Sequence, residues 1–206
     1  MINVVVSRYN KSTDFVNKLL KYNTNIMIYD KENENNPFNI PVNKGSEASV
    51  YLKYIIDNYD NLTDYTFFIH DEEYSWHHKG SIEERFLEAV ESKELYFNIN
   101  NYFFAPYEHI LEKKLFMEFY NTFIEHYIPF EKLPNKDWLI GHKGSAQFLV
   151  HKSLITYYPH CFYNDIYNWI INSDYGNNKL TGFFLEWTWH LFWLIAPTNN
   201  IYNKEN

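Results

Sequence analysis

The 206-residue chain has a single cysteine, Cys161, so it can form no intrachain disulfide and offers no cysteine-based zinc site. A reducing compartment is the natural setting for such a chain, and a cytoplasmic protein is expected, in host cytoplasm if the gene is viral. The bias toward Asn, Lys, Ile and Tyr points to an AT-rich genome, as in a large DNA virus. Clustered positive charge is also missing. The 18 Lys plus Arg are scattered among 26 Asp plus Glu, for a net charge of −8. A binder of nucleic-acid backbone needs a basic stripe, so that class is excluded. The opening MINVVVSRYN lacks the charged head, long apolar stretch and small-residue cleavage site expected of a signal peptide. No run reaches the roughly 20 apolar residues of a membrane span. The most apolar window, Phe183 to Pro197, is shorter and carries Glu186 and His190, so it reads as a buried helix. Internal repeats, long linkers and low-complexity tracts are absent as well. One domain is expected over residues 1–197, with a flexible tail at 198–206.

What the chain has in excess is rings. Aromatic residues make up 20%, including 19 Tyr and 6 Trp, about twice the ordinary share. Most are expected to fill the interior, and the others to line a groove that is part apolar and part wet.

Strand-like runs alternate with helical patterns, which predicts a sheet flanked by helices. Strands are expected at Ile2–Val6, Asn25–Tyr29, Thr66–His70 and Ala146–Val150, with weaker ones at Leu95–Phe97 and Phe103–Ala105. Helices are expected at Thr13–Lys21, Ser46–Tyr59, Ser81–Ser92, Leu111–Ile124, from Lys152, at Asn164–Ile171 and at Leu180–Ile195. The intervening KENENNPFNIPVNKG is polar and broken by Pro37 and Pro41, and reads as a loop.

Ligands of α/β sheets bind beyond the carboxyl ends of strands, and three such ends are polar here: SRYN (Ser7–Asn10), YDK (Tyr29–Lys31) and HDEEYSWHH (His70–His78). Asp71 and Glu73, one residue apart after a buried strand, suit a divalent ion that leaves positions open for phosphate oxygens. A zinc site from His70, His77 and His78 is the other metal reading, although adjacent His77 and His78 point apart if extended. A plain loop capping the Ser81 helix is the alternative to both. NKGSE, with Lys44 and Gly45, enters a helix where free N–H groups favour an anion, unless Ser46 is merely a cap. In GHKGSAQFLVHK two glycines allow close backbone approach or make an ordinary turn. In LEWTWHLF, Glu186 and His190 lie four apart within an apolar helix, as a site or as a satisfied core pair.

Taken in order, VVVSRYN, NKGSEASVYLKYIIDNYDNL, TFFIHDEEYSWHH, GSAQFLVHKSLI and EWTWHLF resemble a family catalogued as a domain of unknown function, over nearly the whole chain. The pattern is also similar to the amino-terminal GT-A glycosyltransferase domain of a chlorovirus enzyme that glycosylates a capsid protein. That resemblance implies a GT-A-like α/β fold, with a mixed, mostly parallel sheet flanked by helices. It implies that Asp71-Glu72-Glu73 stands for the Asp-x-Asp element, departing from it at the third position. Gly144 and Ser145 would border the donor sugar, Glu186 would be the base of an inverting reaction, and His190 would join Asp71 and Glu73 at the metal. Ser7, Arg8, Tyr9 and Asp30 would frame the nucleoside, with Lys44 and Gly45 near its phosphates. Trp76, His77 and His78 would sit by the acceptor.

The expected activity is transfer of a sugar from a nucleoside diphosphate, uridine diphosphate above all, to a glycan or protein-linked hydroxyl. Mn²⁺ or Mg²⁺ would stabilise the leaving diphosphate, and Glu186 or Asp71 would take the proton. A metal-dependent hydrolase of phosphoesters or sugars and a non-catalytic carbohydrate- or nucleotide-binding module are the rival readings.

Overall fold

The computed structural model of the chain describes residues 1–33, 35–40, 42–100, 112–133, 145–175 and 179–195. Five strands, β1 (Ile2–Arg8), β2 (Thr24–Asp30), β3 (Tyr65–His70), β4 (Tyr96–Asn98) and β5 (Phe148–His151), form one sheet in the order β2-β1-β3-β5-β4. β1 pairs in parallel with β2 and β3, and β5 runs antiparallel to β3 and β4. Four strands therefore share a direction and β5 opposes them, so the sheet flanked by helices that the alternating pattern predicts is a mixed, mostly parallel one.

Side chains alternate across a strand, and β1 shows how this builds two layers. Val5 joins the larger core with Phe68, Phe148 and Val150, under helices α1 (Ala48–Asn58), α5 (His160–Asn172) and α6 (Leu180–His190). Val4 and Val6 face the other way, joining Phe67, Ile69 and Leu149 beneath α2 (Ile82–Ser92) and a 3-10 helix at Asp14–Tyr22. The central strands β1 and β3 are thus buried on both sides, which explains their near-continuous apolar runs. Short helices α3 (Lys113–Phe119) and α4 (Lys152–Ile155) complete the α-helices among the described residues, and short 3-10 turns lie at Tyr59–Asn61 and Phe130–Lys132.

Several boundaries differ from expectation for local reasons. The Asp14–Tyr22 segment is 3-10 rather than α, and its buried Val16 and Leu19 are three apart, the spacing that eclipses in a threefold helix. α1 starts at Ala48 and not Ser46, because Gly45 (φ 70°) and Ser46 (φ 48°) are left-handed. α5 begins four residues earlier than periodicity indicates, directly after Pro159, whose ring favours a helix start. α3 and α6 each continue into a π-helical turn, at Tyr120–Ile124 and Leu191–Ile195. The expected strand at Phe103–Ala105 and the tail at 198–206 lie outside the described residues. Among the described residues no helix is long and apolar enough to cross a membrane.

Candidate active site

The strand order reverses at β1, with β2 on one side and β3 on the other. Connections leave such a point toward opposite faces of the sheet, so a crevice opens at the carboxyl ends. It is a cleft of about 470 Å³ here, and Ser7, Tyr9, Lys31, His70 and Asp71 reach it from the ends of β1, β2 and β3. Asp71 Oδ2 accepts a hydrogen bond from the Tyr9 backbone N–H at 2.6 Å, tying two strand ends together. The His70 backbone N–H donates to Oε1 of buried Gln147 at 3.1 Å, and its ring Nε2 lies 3.9 Å from the Glu47 carboxylate. That separation is too long for a hydrogen bond.

Glu47 owes its position to the turn before α1. A Cβ on Gly45 would come within 2.5 Å of Ile170 Cγ2, and one on Gly182 within 2.6 Å of the Gly45 carbonyl oxygen. The turn therefore packs on the Ile170 side chain of α5 and lies at backbone distance from α6, and this brings Glu47 beside α6. There a second compartment of about 420 Å³ adjoins the first, sharing Ser46, Glu47, His70 and Lys179 with it. Its other walls are Trp76, His77, Phe183, Glu186 and Trp187. Trp76 is 69% exposed and lies 3.9 Å, centroid to centroid, from the His77 ring. Phe183 and Trp187, one turn apart on α6, stack with their rings 17° from parallel.

Burial dominates the electrostatics. The Glu186 carboxyl is pushed up to about 8 by its enclosure, with further push from the Glu47 charge, against a hydrogen bond from Ser145 that favours the carboxylate. Lys31 is pulled down to about 8 by burial, which the charges of Glu47 and Asp71 oppose. His77 is pulled down to about 4 by burial and by neighbouring His70 and His78, so at neutral pH its ring is uncharged.

Of the residues singled out from the sequence, Ser7, Tyr9 and Asp71 line the polar compartment, and Trp76, His77 and Glu186 the aromatic one. Others lie elsewhere. Arg8 and Asp30 form an ion pair with each other; Arg8 Nε also donates to the Lys11 carbonyl at 2.8 Å, and Asp30 Oδ1 accepts from the Glu32 N–H at 2.9 Å. They brace the loops beside the cleft. Lys44 donates to the carbonyls of Ile171 and Ser173 at 3.0 and 2.6 Å, finishing α5, and Gly45 supplies the turn. Glu73 pairs with Lys18 on the far side of its loop. His78 is buried beneath that loop, and His190 is fully buried on α6. Ser145, at φ 83°, donates from Oγ to Glu186 Oε1 at 3.1 Å and from its backbone N–H to the Glu186 carbonyl at 2.9 Å. It positions Glu186. Gly144 lies outside the described residues.

The family model described as Protein of unknown function (DUF3431) matches residues 4–204. The chain belongs to the DUF3431 family. No curated protein and no solved structure matches it. The matched span of this DUF3431 chain takes in both compartments. Lys11, Lys179, Phe183 and Trp187 line the compartments but were not selected from the sequence, and Lys31 and Glu47 entered only as the last residues of YDK and NKGSE. A signal existed for three of these six. Phe183, Glu186 and Trp187 stand at helical i, i+3, i+4 spacing, and Lys31 directly follows a strand end. Glu47 reads as an ordinary first-turn acid, and only the fold sets it against His70.

Proposed function

We propose that this DUF3431 protein is a glycosyltransferase of GT-A-like fold that moves a sugar from a uridine diphosphate donor to a glycan or protein-linked hydroxyl. One observation carries the reading: a polar compartment at the strand switch point opens directly into an aromatic compartment whose wall holds a half-buried carboxyl, Glu186. The first suits a nucleoside diphosphate and the second a sugar, whose apolar faces lie against rings while its hydroxyls find polar edges. The anomeric carbon then sits at the shared boundary, near Glu47 and His70.

In this reading the acceptor oxygen bonds to the anomeric carbon as the bond to the diphosphate oxygen breaks, with inversion. The acceptor proton passes to Glu186. A carboxylate whose protonated form persists to about pH 8 is a better base for a hydroxyl than an ordinary one, because base strength rises with pKa. Ser145 fixes its rotamer. Neutral His77, packed against Trp76, extends the stacking wall without repelling a sugar.

The residues fit a protein-held Mn²⁺ or Mg²⁺ poorly. Asp71 faces the cleft, but Glu73 is engaged by Lys18 and His190 is buried in α6. Among the described residues no three ligating side chains converge.

The test is release of uridine diphosphate from a panel of donor sugars, with and without oligosaccharide acceptors. Acceptor-dependent release, reduced about 10²- to 10⁴-fold in Glu186→Gln, is the expected result. Release that consumes water and ignores every acceptor would make the protein a hydrolase. Donor binding without release would make it a binding module.

A further inference from the structure

Three lysines, Lys11, Lys31 and Lys179, reach the polar compartment from the segment after β1, the end of β2 and the approach to α6. They differ in how they are held. Lys11 is paired with Glu72 at an exposed rim. Lys31 is half-buried, and its ammonium spans the turn to the Ser46 carbonyl, the one hydrogen bond it makes among the described residues. An ammonium has three donors, so a half-buried lysine with one neutral acceptor has donors left over for a ligand in the cleft.

The acids of the same compartment are differently placed. Glu72 is taken up by Lys11, and Asp71 Oδ2 by the Tyr9 N–H. Glu47 stands toward His70 and the aromatic side. Glu73, the second carboxylate an ion would need, is turned out to Lys18. The positive charge that faces the polar compartment with unused donors is therefore an ammonium carried by the protein.

We propose that Lys31 is the anchor of the diphosphate, assisted by Lys179 and Lys11, so that the polar compartment takes a nucleoside diphosphate without a divalent cation. This rests on the donor reading above and refines it. The phosphate oxygens supply the acceptors that Lys31 lacks, in charge-assisted hydrogen bonds, and the ammonium balances the charge that grows on the leaving diphosphate. The burial that draws the Lys31 ammonium down to about 8 is consistent with a group waiting for an anion. Lysine serves here as a point charge, which tolerates the shift of negative charge from bridging to terminal oxygen.

Calorimetric titration of the full chain separates the possibilities. Uridine diphosphate, inorganic pyrophosphate and uridine are each titrated in EDTA and again in Mn²⁺. The expected result is binding of uridine diphosphate in EDTA, with an affinity within about threefold of that in Mn²⁺. Lys31→Met should weaken it by about tenfold or more, Lys31→Arg by less, and Lys53→Met, on the outer face of α1, not at all. Wild-type binding seen only with Mn²⁺ overturns the lysine anchor and leaves the transferase reading standing. Pyrophosphate bound in EDTA while uridine diphosphate is refused supports the anion anchor and removes the nucleoside donor. Absence of binding by all three ligands in both conditions overturns both. If Lys31→Met fails to fold by circular dichroism, Lys31→Gln and the wild-type EDTA titration still decide.

Discussion

A carboxyl that stays protonated to about pH 8 leaves a mark on stability as well as on activity. Glu186 binds its proton more tightly in the fold than in the unfolded chain, where it titrates near 4.5. Between those values the native state carries the extra proton, so Glu186 makes stability fall as pH rises from about 4.5 toward 8 and flatten above. Urea midpoints at pH 5, 6.5 and 8 should show this decline in the wild type and a shallower one in Glu186→Gln. Turnover at saturating donor, where the bound diphosphate keeps Lys31 charged, should move oppositely, increasing through pH 8 as Glu186 ionises. Lys31 gives the complementary case: its folded pKa is depressed, so its charged form is disfavoured, and Lys31→Met should raise the thermal midpoint at pH 7 while uridine diphosphate binding weakens about tenfold or more. A variant that lost both would show that Lys31 holds the turn through Ser46 more than it holds an anion. Site residues of this kind were legible in the sequence when their setting was sequence-local. Asp71 follows a strand and Glu186 interrupts an apolar helix, and both face the cleft. Arg8 and Asp30 satisfied the same criterion, yet they satisfy each other, because parallel register sets them side by side at the ends of β1 and β2. Strand pairing decides that, and a single chain's sequence does not display it.

Among elements, the contact of the pre-α1 turn with α6 sets the width of the cleft. Gly182 is the residue of α6 that meets the Gly45 carbonyl, and the obstacle to a side chain there is backbone, which cannot rotate away. Gly182→Ala should cost about 1–3 kcal/mol by overpacking. It should also separate Glu47 from Glu186, and the Glu186 shift should shrink as that charge recedes. Thermal melts and the pH dependence of stability measured on the same variant check both parts. Ser81 is a contrasting control. It caps α2 through a reciprocal box with Glu84, far from the turn, so Ser81→Ala should cost about 1 kcal/mol and leave the decline between pH 5 and 8 unchanged, because Glu84, held below the usual carboxylate range by Ser81, is ionised throughout that window. The α2 start was readable because capping is chemistry between residues three apart. β1, β2, β3 and the body of α1 were readable for a similar reason, their apolar pattern being local. The left-handed Gly45-Ser46 pair and the π-helical ends of α3 and α6 answer to packing partners far along the chain, and periodicity is silent about them.

Across the whole molecule, the aromatic surplus divides between a fused interior and the cleft. Exposed large rings among the described residues include Tyr9 and Trp76, which line the two compartments, while most others interlock beneath α1, α5 and α6. Phe148 on β5 is the hub of that interior. Its ring lies 5.3 Å from Phe68, 5.5 Å from Tyr96, 5.8 Å from Trp189 and 6.0 Å from Tyr51, so one side chain joins β3, β4, α6 and α1. Phe148→Ala should therefore cost about 3–5 kcal/mol, since surrounding rings this large collapse poorly into the space. The neighbouring Gln147 supplies the acceptor that holds the His70 backbone, so a loosened β5 transmits directly to the floor of the cleft. If the sheet couples its two layers into one cooperative unit, near- and far-ultraviolet circular dichroism of Phe148→Ala will melt together, well below the wild type. Ligand binding at a permissive temperature will then be retained and will vanish along the same curve. Loss of the near-ultraviolet signal before the far would instead mean that the aromatic layer under α1, α5 and α6 melts while the 3-10 helix and α2 remain on the sheet. The cleft would then belong to the weaker layer, because Glu47 and Glu186 are both carried on that side.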